Sequence, residues 1–181
     1  KRQVRNPGPH VEYDHIQGII FQESPIFYEN GEALGVLQAK EHRVYVEYDD
    51  LPEAWVQAIT ASEDQRYFEH PGIDVWGIGR AMRQNLQAGK VVAGGSTLTQ
   101  QTAKNLYYRP DRSWGSKWEE LKDALRLEAH FSKEQILEFY ANQFHVSSTG
   151  RGIGIAARYF FDKDVAELDL IECAYIAGMV K

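Results

Sequence analysis

A polar stretch of the chain, GGSTLTQQTAKN over residues 94–105, contains hydroxyls, carboxamides and a cation but no acid. Thr97 and Gln100 have the spacing of a capping box, which predicts a helix start directly after the two glycines. On that helix one side would carry Thr97, Gln100, Gln101, Lys104 and Tyr108. Hydrogen-bond donors, a cation and a helix N-terminus are together the ingredients of an anion site.

Basic residues continue beyond this helix. From residue 104 to 117 the chain has Lys104, Arg109, Arg112 and Lys117 against only Asp111, so four cations minus one acid give +3 in a chain of net charge −6. This local reversal of sign favours phosphate recognition, and a merely solvated polar face remains an equal alternative on the stretch alone. The spacing matches neither Walker nor dinucleotide-binding loops.

Glu63 is the candidate catalytic acid or base of a second stretch, ITASEDQRYFEHPGID. It follows Val56 by seven residues and Ile59 by four, so on a helix its carboxylate ends an apolar stripe. A partly desolvated carboxylate in that position suits a general base. The alternative is a solvated acid at a fraying helix end. We interpret His70, just before a Pro-Gly turn, as a structural hydrogen-bonding residue.

A third candidate is the pair Lys117 and Glu120, which share a predicted helix face with Ala124 and Leu127. Such a pair is usually a weak surface ion pair. Beside the basic stretch, however, the carboxylate can orient the lysine or share a divalent metal with a pyrophosphate. The six histidines show no metal-ligand spacing.

Helices must position these residues. Apolar periodicity and capping signals predict a first helix near Pro52, and the capping pair Ser132 and Gln135 predicts the start of the fifth helix overall, at 133–145. The remaining helices are predicted at 74–88, 97–108, 117–130, 133–145, 152–161 and 170–179. In the helix predicted at 152–161, the small residues Gly152, Ala156 and Ala157 indicate close helix packing.

The N-terminal part has strand signals instead. Residues 1–10 read as a linker, VEYDHIQGIIF and RVYVEY read as strands, and Asn30-Gly31 between apolar runs predicts a hairpin. We therefore predict two parts, a linker with a small β-rich segment over residues 1–48 and a helical domain over residues 49–181.

Composition limits the function classes. A hydrophobic content of 43% and an aromatic content of 12% are sufficient for a real core, while the net charge of −6 argues against nucleic acid as a partner. The single cysteine, Cys173, lies in an apolar stretch and is predicted to be a buried small residue. No apolar run approaches the ~20 residues that span a bilayer, so any anchor is expected outside this chain.

Taken together, these motifs resemble those of the peptidoglycan glycosyltransferases, the transglycosylase domain of class A penicillin-binding proteins and of their monofunctional relatives. The order and spacing hold over roughly residues 24–181, and the family's domain is expected to continue past the last residue. After Asn142 the run Gln-Phe-His-Val-Ser-Ser-Thr departs from the family pattern, so the acceptor-side loop is expected to differ. The matching motifs are Glu63–Asp74, Gly94–Gln101 with Lys104-Asn105, Arg112 with Lys117-x-x-Glu120, Ile136–Asn142 and Gly152–Phe160.

The resemblance implies a mainly α, lysozyme-like helical glycosyltransferase domain with a small N-terminal β-rich lobe. It implies that lipid II, a disaccharide-peptide on undecaprenyl pyrophosphate, is polymerised into β-1,4 glycan strands with inversion and release of undecaprenyl pyrophosphate. The implied place is the extracytoplasmic face of the cell membrane. The implied partners are lipid II, the growing lipid-linked glycan, the outer leaflet of the membrane and other cell-wall synthesis proteins.

The resemblance also implies residue roles. Glu63 matches the general base, and Glu120 matches a second carboxylate that assists the pyrophosphate or its divalent cation, Mg²⁺ or Mn²⁺. The positions that match substrate-binding residues of the family are Arg80, Ser96, Thr97, Gln100, Lys104, Asn105, Arg112 and Lys117. Two alternatives stay open: a lysozyme-like glycan-cleaving enzyme, and a non-catalytic relative that binds lipid II or acts as a scaffold. The cationic run argues against the first, and the two glutamates argue against the second.

Overall fold

A computed structural model of the protein describes residues 11–20, 24–27, 33–37, 44–92, 94–107, 113–146 and 150–180. Helices dominate this part of the chain. They are α1 Tyr13–Ile20, α2 Glu53–Glu63, α3 Val75–Ala88, α4 Leu98–Leu106, α5 Trp114–His130, α6 Lys133–Ala141, α7 Ile153–Phe161 and α8 Leu170–Met179, with short 3-10 turns at Tyr48–Asp50 and Val165–Glu167. The strands are β1 Ser24–Phe27, β2 Ala33–Leu37, β3 His145–Val146 and β4 Gly150–Arg151.

The core lies where α2 packs on α8 and where α4 packs on α5 and α6. From α2 it receives Trp55 and Ile59, and from α8 it receives Ile176 and Cys173, all of them fully or almost fully buried. The prediction that Cys173 is a buried small residue is therefore confirmed. Because α6 is buried along most of its length, the helices around it have a fixed support.

The seven helices predicted from Pro52 onward are confirmed. Two boundaries differ. The helix predicted from residue 117 begins at Trp114 because the Ser113 side chain caps it by accepting the backbone N–H of Ser116. The helix predicted to reach residue 145 ends at Ala141, and the chain turns at Asn142 toward β3.

The small residues of α7 serve packing, as predicted. Gly152 has φ of +92°, and a Cβ there would lie 3.0 Å from the Cα of Asn142. A Cβ on Gly154 would lie 2.5 Å from the carbonyl oxygen of Val44. Only glycine permits both close approaches of backbone to backbone.

The strand predicted from VEYDHIQGIIF is wrong, because residues 13–20 form α1. Ile16 and Ile20 lie four residues apart, and both are buried in the core together with Val11. Their β-branched character favours a strand locally, but helical spacing against the core decides the outcome.

The strand predicted from RVYVEY is also wrong, because residues 44–47 are extended without a strand partner among the described residues. Side chains of α6 and its C-cap satisfy this backbone instead. Val46 donates its N–H to Asn142 Oδ1 at 2.9 Å and accepts from Asn142 Nδ2 at 2.8 Å. Tyr48 donates its N–H to Glu138 Oε2 at 2.9 Å.

The predicted N-terminal hairpin is confirmed in its strands, since β1 and β2 pair antiparallel in a two-stranded sheet. Its turn, Asn30-Gly31, lies outside the described residues, as does the predicted linker over residues 1–10. The predicted small β-rich lobe is not shown beyond this two-stranded sheet, because in the described N-terminal residues the other two predicted strands are helix and irregular chain. Among the described helices, none combines the length and apolar character needed to cross a membrane.

Candidate active site

Glu63 is the last residue of α2 and is half-buried. Its Oε2 accepts a hydrogen bond from Nε2 of Gln101 on α4 at 2.9 Å. The carboxylate is thus held between two helices rather than free at a fraying helix end. It lines a cavity of about 440 Å³.

Asp64 fastens the turn after Glu63 to the start of α4. Its buried carboxylate accepts the backbone N–H of Leu98 at 2.9 Å and contacts His70 Nε2 at 2.9 Å. In the same turn, Thr97 donates its hydroxyl to the carbonyl of Gly72 at 2.7 Å. The structural interpretation of His70 is confirmed, since its ring is buried and paired with Asp64.

The predicted capping box of α4 is confirmed. Gln100 Oε1 accepts the N–H of Thr97 at 3.0 Å, and Thr97 Oγ1 accepts the N–H of Gln100 at 3.2 Å. Both side chains are buried, and Thr97 also lines the cavity. The carboxylate of Asp64 accepts the N–H of Leu98, the first residue of α4, so this one N–H is already paired; the anion site at this helix stays a prediction.

The glycine-rich loop before α4 forms one wall of the cavity. A Cβ on Gly95 would lie 3.3 Å from Cγ1 and 3.4 Å from Cα of Ile78, so the loop packs closely on α3. Arg80 of α3 reaches toward the end of α2, where Nη1 donates to Gln65 Oε1 at 2.9 Å. Polar and charged side chains around the cavity are Ser62, Glu63, Asp64, Gln65, Asp74, Arg80, Gln84, Ser96, Thr97 and Gln101.

Lys117 and Glu120 of α5 adjoin this cavity. The ammonium of Lys117 contacts the carboxylate of Glu120 and lies 3.4 Å from the hydroxyl of Ser96. Glu120 is buried, while Lys117 is exposed. Ser96 therefore joins the cationic end of α5 to the wall that carries Glu63.

The predicted site residues separate into groups. Lys104 is exposed on the last turn of α4, and Asn105 beside it is half-buried; neither lines the cavity. Arg112 lies outside the described residues, together with Arg109. The predicted residues brought together at the cavity and its rim are Glu63, Arg80, Ser96, Thr97, Lys117 and Glu120.

Sequence reasoning missed Asp64 and Gln101 as functional positions. In the sequence, Asp64 is only the acidic residue that follows Glu63, and Gln101 is only one of several polar residues on a helix face. Their partners lie 34 and 38 residues away along the chain. The described residues contain no group of three or more His, Cys, Asp or Glu that would hold a metal by themselves.

The described residues thus form a helical domain with a carboxylate at a cavity wall and a lysine–glutamate pair at its rim. A family model described as Transglycosylase matches residues 30–181, and the chain belongs to this family. It is a peptidoglycan glycosyltransferase domain by that membership.

Curated relatives agree with the family. Penicillin-binding protein 1A of Neisseria cinerea is 40% identical over 156 residues, which cover 86% of this chain and 19% of that protein. Penicillin-binding protein 1B of Escherichia coli strain K12 is 41% identical over 145 residues, which cover 78% of this chain and 17% of that protein. The chain thus spans less than a fifth of the length of these relatives.

Proposed function

We propose that this domain polymerises lipid II into β-1,4 glycan strands, with inversion at the sugar carbon and release of undecaprenyl pyrophosphate. The observation that carries the proposal is the placement of Glu63. Its half-buried carboxylate lines the cavity whose rim carries Ser96, and Ser96 in turn contacts Lys117 of the Lys117–Glu120 pair. A base and a cationic leaving-group site are the two features that the reaction needs.

Glu63 is the general base in this proposal. The 4-hydroxyl of lipid II attacks C1 of the lipid-linked glycan and must lose its proton as the bond forms. A hydroxyl is too weak an acid to ionise near neutral pH, so a positioned carboxylate that takes the proton contributes about 10²–10⁴ in rate.

The cations receive the leaving pyrophosphate. Lys117 lies beside the cavity, Lys104 is solvent-exposed on α4, and Arg112 follows the same basic stretch of sequence. Charge-assisted contacts to phosphate are stronger than neutral hydrogen bonds. We assign substrate contacts to Arg80 and Ser96 at the cavity and to Asn105 beside Lys104. Thr97 and Gln100 would act through the capping box that fixes the start of α4.

A divalent cation fits this site only together with the substrate. Glu120 is a single carboxylate already in contact with Lys117, and the described residues contain no metal cluster. Mg²⁺ commonly binds through one or two carboxylates plus substrate phosphates. Mg²⁺ or Mn²⁺ would therefore be held by Glu120 and pyrophosphate oxygens, and it would neutralise charge on the leaving group.

The lipid part of the substrate has an apolar path beside the cavity. A groove of about 610 Å³ along α3 is lined by Ile78, Met82, Leu86 and Val91 among others. Ala81 and Gly95 line both this groove and the cavity, so the two adjoin each other. We propose that the sugars occupy the cavity and that α3 faces the outer leaflet of the cytoplasmic membrane, where other cell-wall synthesis proteins would also meet the domain.

Replacement of Glu63 by glutamine tests the proposal. Glu63→Gln keeps the size of the side chain but cannot accept a proton, so polymerisation of labelled lipid II should fall by about 10²–10⁴. Binding of a soluble lipid II analogue and the thermal midpoint should change little. Glu69→Gln is the matched control, because Glu69 lies in the following turn with 65% of its side chain exposed.

Gel separation of the glycan products distinguishes the alternatives. Near wild-type polymerisation by Glu63→Gln would mean that Glu63 is not the base. Shortening of preformed glycan by the wild-type chain would instead identify a cleaving enzyme. Binding of lipid II without any polymer from the wild-type chain would identify a non-catalytic relative.

A further inference from the structure

The carboxylate of Glu63 is held by a donor that is distinct from the helix cap. Two consecutive glutamines on α4 divide the tasks. The side chain of Gln100 takes part in the capping box, whereas Nε2 of Gln101 donates a hydrogen bond to Glu63 Oε2 at 2.9 Å. A carboxylate has two oxygens with about four lone-pair positions in total, so a bond to Oε2 leaves capacity for the acceptor hydroxyl.

A buried hydroxyl without a hydrogen-bond partner lies on α6. The side chain of Tyr140 is fully buried, with 1% of the residue exposed, and its hydroxyl has no hydrogen-bond partner among the described residues. Burial and the nearby charge of Glu63 raise the pKa of Tyr140 above its usual range, so the hydroxyl keeps its proton. An unsatisfied buried hydroxyl is costly, and such exceptions in a native fold call for an explanation.

We propose that Gln101 and Tyr140 are positioning residues that hold the Glu63 carboxylate from the protein side and leave its remaining lone pairs for the acceptor hydroxyl. This inference rests on the proposed function, because it assumes that Glu63 is the general base. Gln101 provides the bond in the free protein, and the unpartnered hydroxyl of Tyr140 is the second donor that we assign to the carboxylate. A base fixed in this way spends more of its time in reactive geometry than one free to rotate at a helix end.

The charges that share the cavity with Glu63 make these neutral donors important. Asp64 and Asp74 are acidic, and Arg80 is the cation that lines the same cavity. The negative charges of Asp64 and Asp74 disfavour a further negative charge on the Glu63 carboxylate. A hydrogen bond favours the ionised form of a carboxylate, so its loss should move the acid-side limb of the rate–pH profile to higher pH.

Gln101→Met is the first test, since methionine has a similar length but no donor. Polymerisation of lipid II by the 181-residue chain should fall about tenfold to hundredfold, the usual range for a hydrogen bond to a charged group. The acid-side limb should move to higher pH, and KM should change little. Gln101→Glu, which also adds a charge, should move the limb further.

The matched control is Gln57→Met. Gln57 donates to Glu53 at 2.9 Å on the same helix that ends in Glu63, but this pair is exposed and distant in sequence from the cavity. Its loss should leave both rate and pH profile at wild-type values. A purely structural effect of removing a glutamine–glutamate bond would instead appear in both variants.

Tyr140→Phe is the second test. Because it removes a hydroxyl that lacks a partner, the thermal midpoint should stay equal or rise. The rate should nevertheless fall, with the acid-side limb shifted in the same direction as for Gln101→Met. A wild-type rate and pH profile in Tyr140→Phe would show that the hydroxyl is idle and would overturn its assignment.

Glu63→Gln, measured in parallel, distinguishes failure of the proposed general base from failure of the positioning inference. If Glu63→Gln polymerises normally, the proposed function of Glu63 fails. If Glu63→Gln is inactive while Gln101→Met and Tyr140→Phe keep the wild-type rate and profile, only the positioning inference is overturned.

Discussion

At the level of single residues, Lys104 is the cation on the accessible face of α4. It is exposed and has no ion-pair partner among the described residues, so it is available to a phosphate. Lys104→Ala should weaken binding of a soluble lipid II analogue about tenfold to hundredfold, because a charge-assisted hydrogen bond is lost. Calorimetric titration measures this affinity.

Lys122→Ala is the control for Lys104→Ala. Lys122 is a cation of α5 whose ammonium is already paired with Glu119. Its removal changes the net charge of the chain by the same amount without touching the proposed site. Equal affinity for the analogue in wild type and Lys104→Ala would remove Lys104 from the pyrophosphate site.

Spacing along one helix was enough to predict some site residues. Glu63 at the end of an apolar stripe and the Lys117–Glu120 contact both follow from three- and four-residue spacing, and both are confirmed in position. Contacts such as Gln101 to Glu63 join separate helices 38 residues apart in sequence. Side-chain spacing on one helix contains no information about them.

At the level of elements, the extended segment before α2 depends on Asn142. The amide of Asn142 donates to Val46 O and accepts from Val46 N, as a neighbouring strand would. Asn142→Ala should lower the free energy of unfolding by about 1–3 kcal/mol, because two buried backbone groups lose their partner. Urea unfolding measures the change.

Asn85→Ala is the comparison for Asn142→Ala. Asn85 also accepts a backbone N–H, that of Val92 at 2.7 Å, but at an exposed position where water replaces the lost partner. It should cost clearly less stability than Asn142→Ala. Equal losses would mean that the Asn142 contacts with the extended segment add nothing beyond an ordinary surface bond.

The contact between Asn142 and Val46 shows why some elements could be predicted from the sequence and others could not. Helices from Pro52 onward have continuous apolar periodicity and local caps, such as Ser132 with Gln135, so sequence alone predicts them. RVYVEY has the alternation of a strand, yet the hydrogen-bond partners of its backbone are side chains 90 and 96 residues away. The residues of α1 have β propensity, but they form a helix because Ile16 and Ile20 are buried in the core at helical spacing. Local pattern determines an element only where no distant partner competes.

At the level of the whole molecule, apolar and polar surfaces meet at α3. This helix exposes Trp76, Met82 and Leu86, and Val91 just after it is 85% exposed. The adjoining cavity is instead lined mainly by polar side chains. Such an arrangement suits a substrate with a polar sugar end and a lipid end, because each part would find a matching surface.

The membrane assignment can therefore be tested independently of catalysis. Leu86→Ser removes one of the most exposed apolar side chains of α3 and should weaken partitioning onto vesicles of phosphatidylcholine about tenfold, since burying one leucine contributes about 1.5–3 kcal/mol. These vesicles carry no net charge, so the chain's charge of −6 does not repel them. Ile171→Ser on α8 is the matched control, because Ile171 is 78% exposed but lies on another helix. Sedimentation with vesicles measures the bound fraction. Equal loss in both variants would indicate unspecific apolar adhesion, and no loss in Leu86→Ser would show that α3 does not face the membrane.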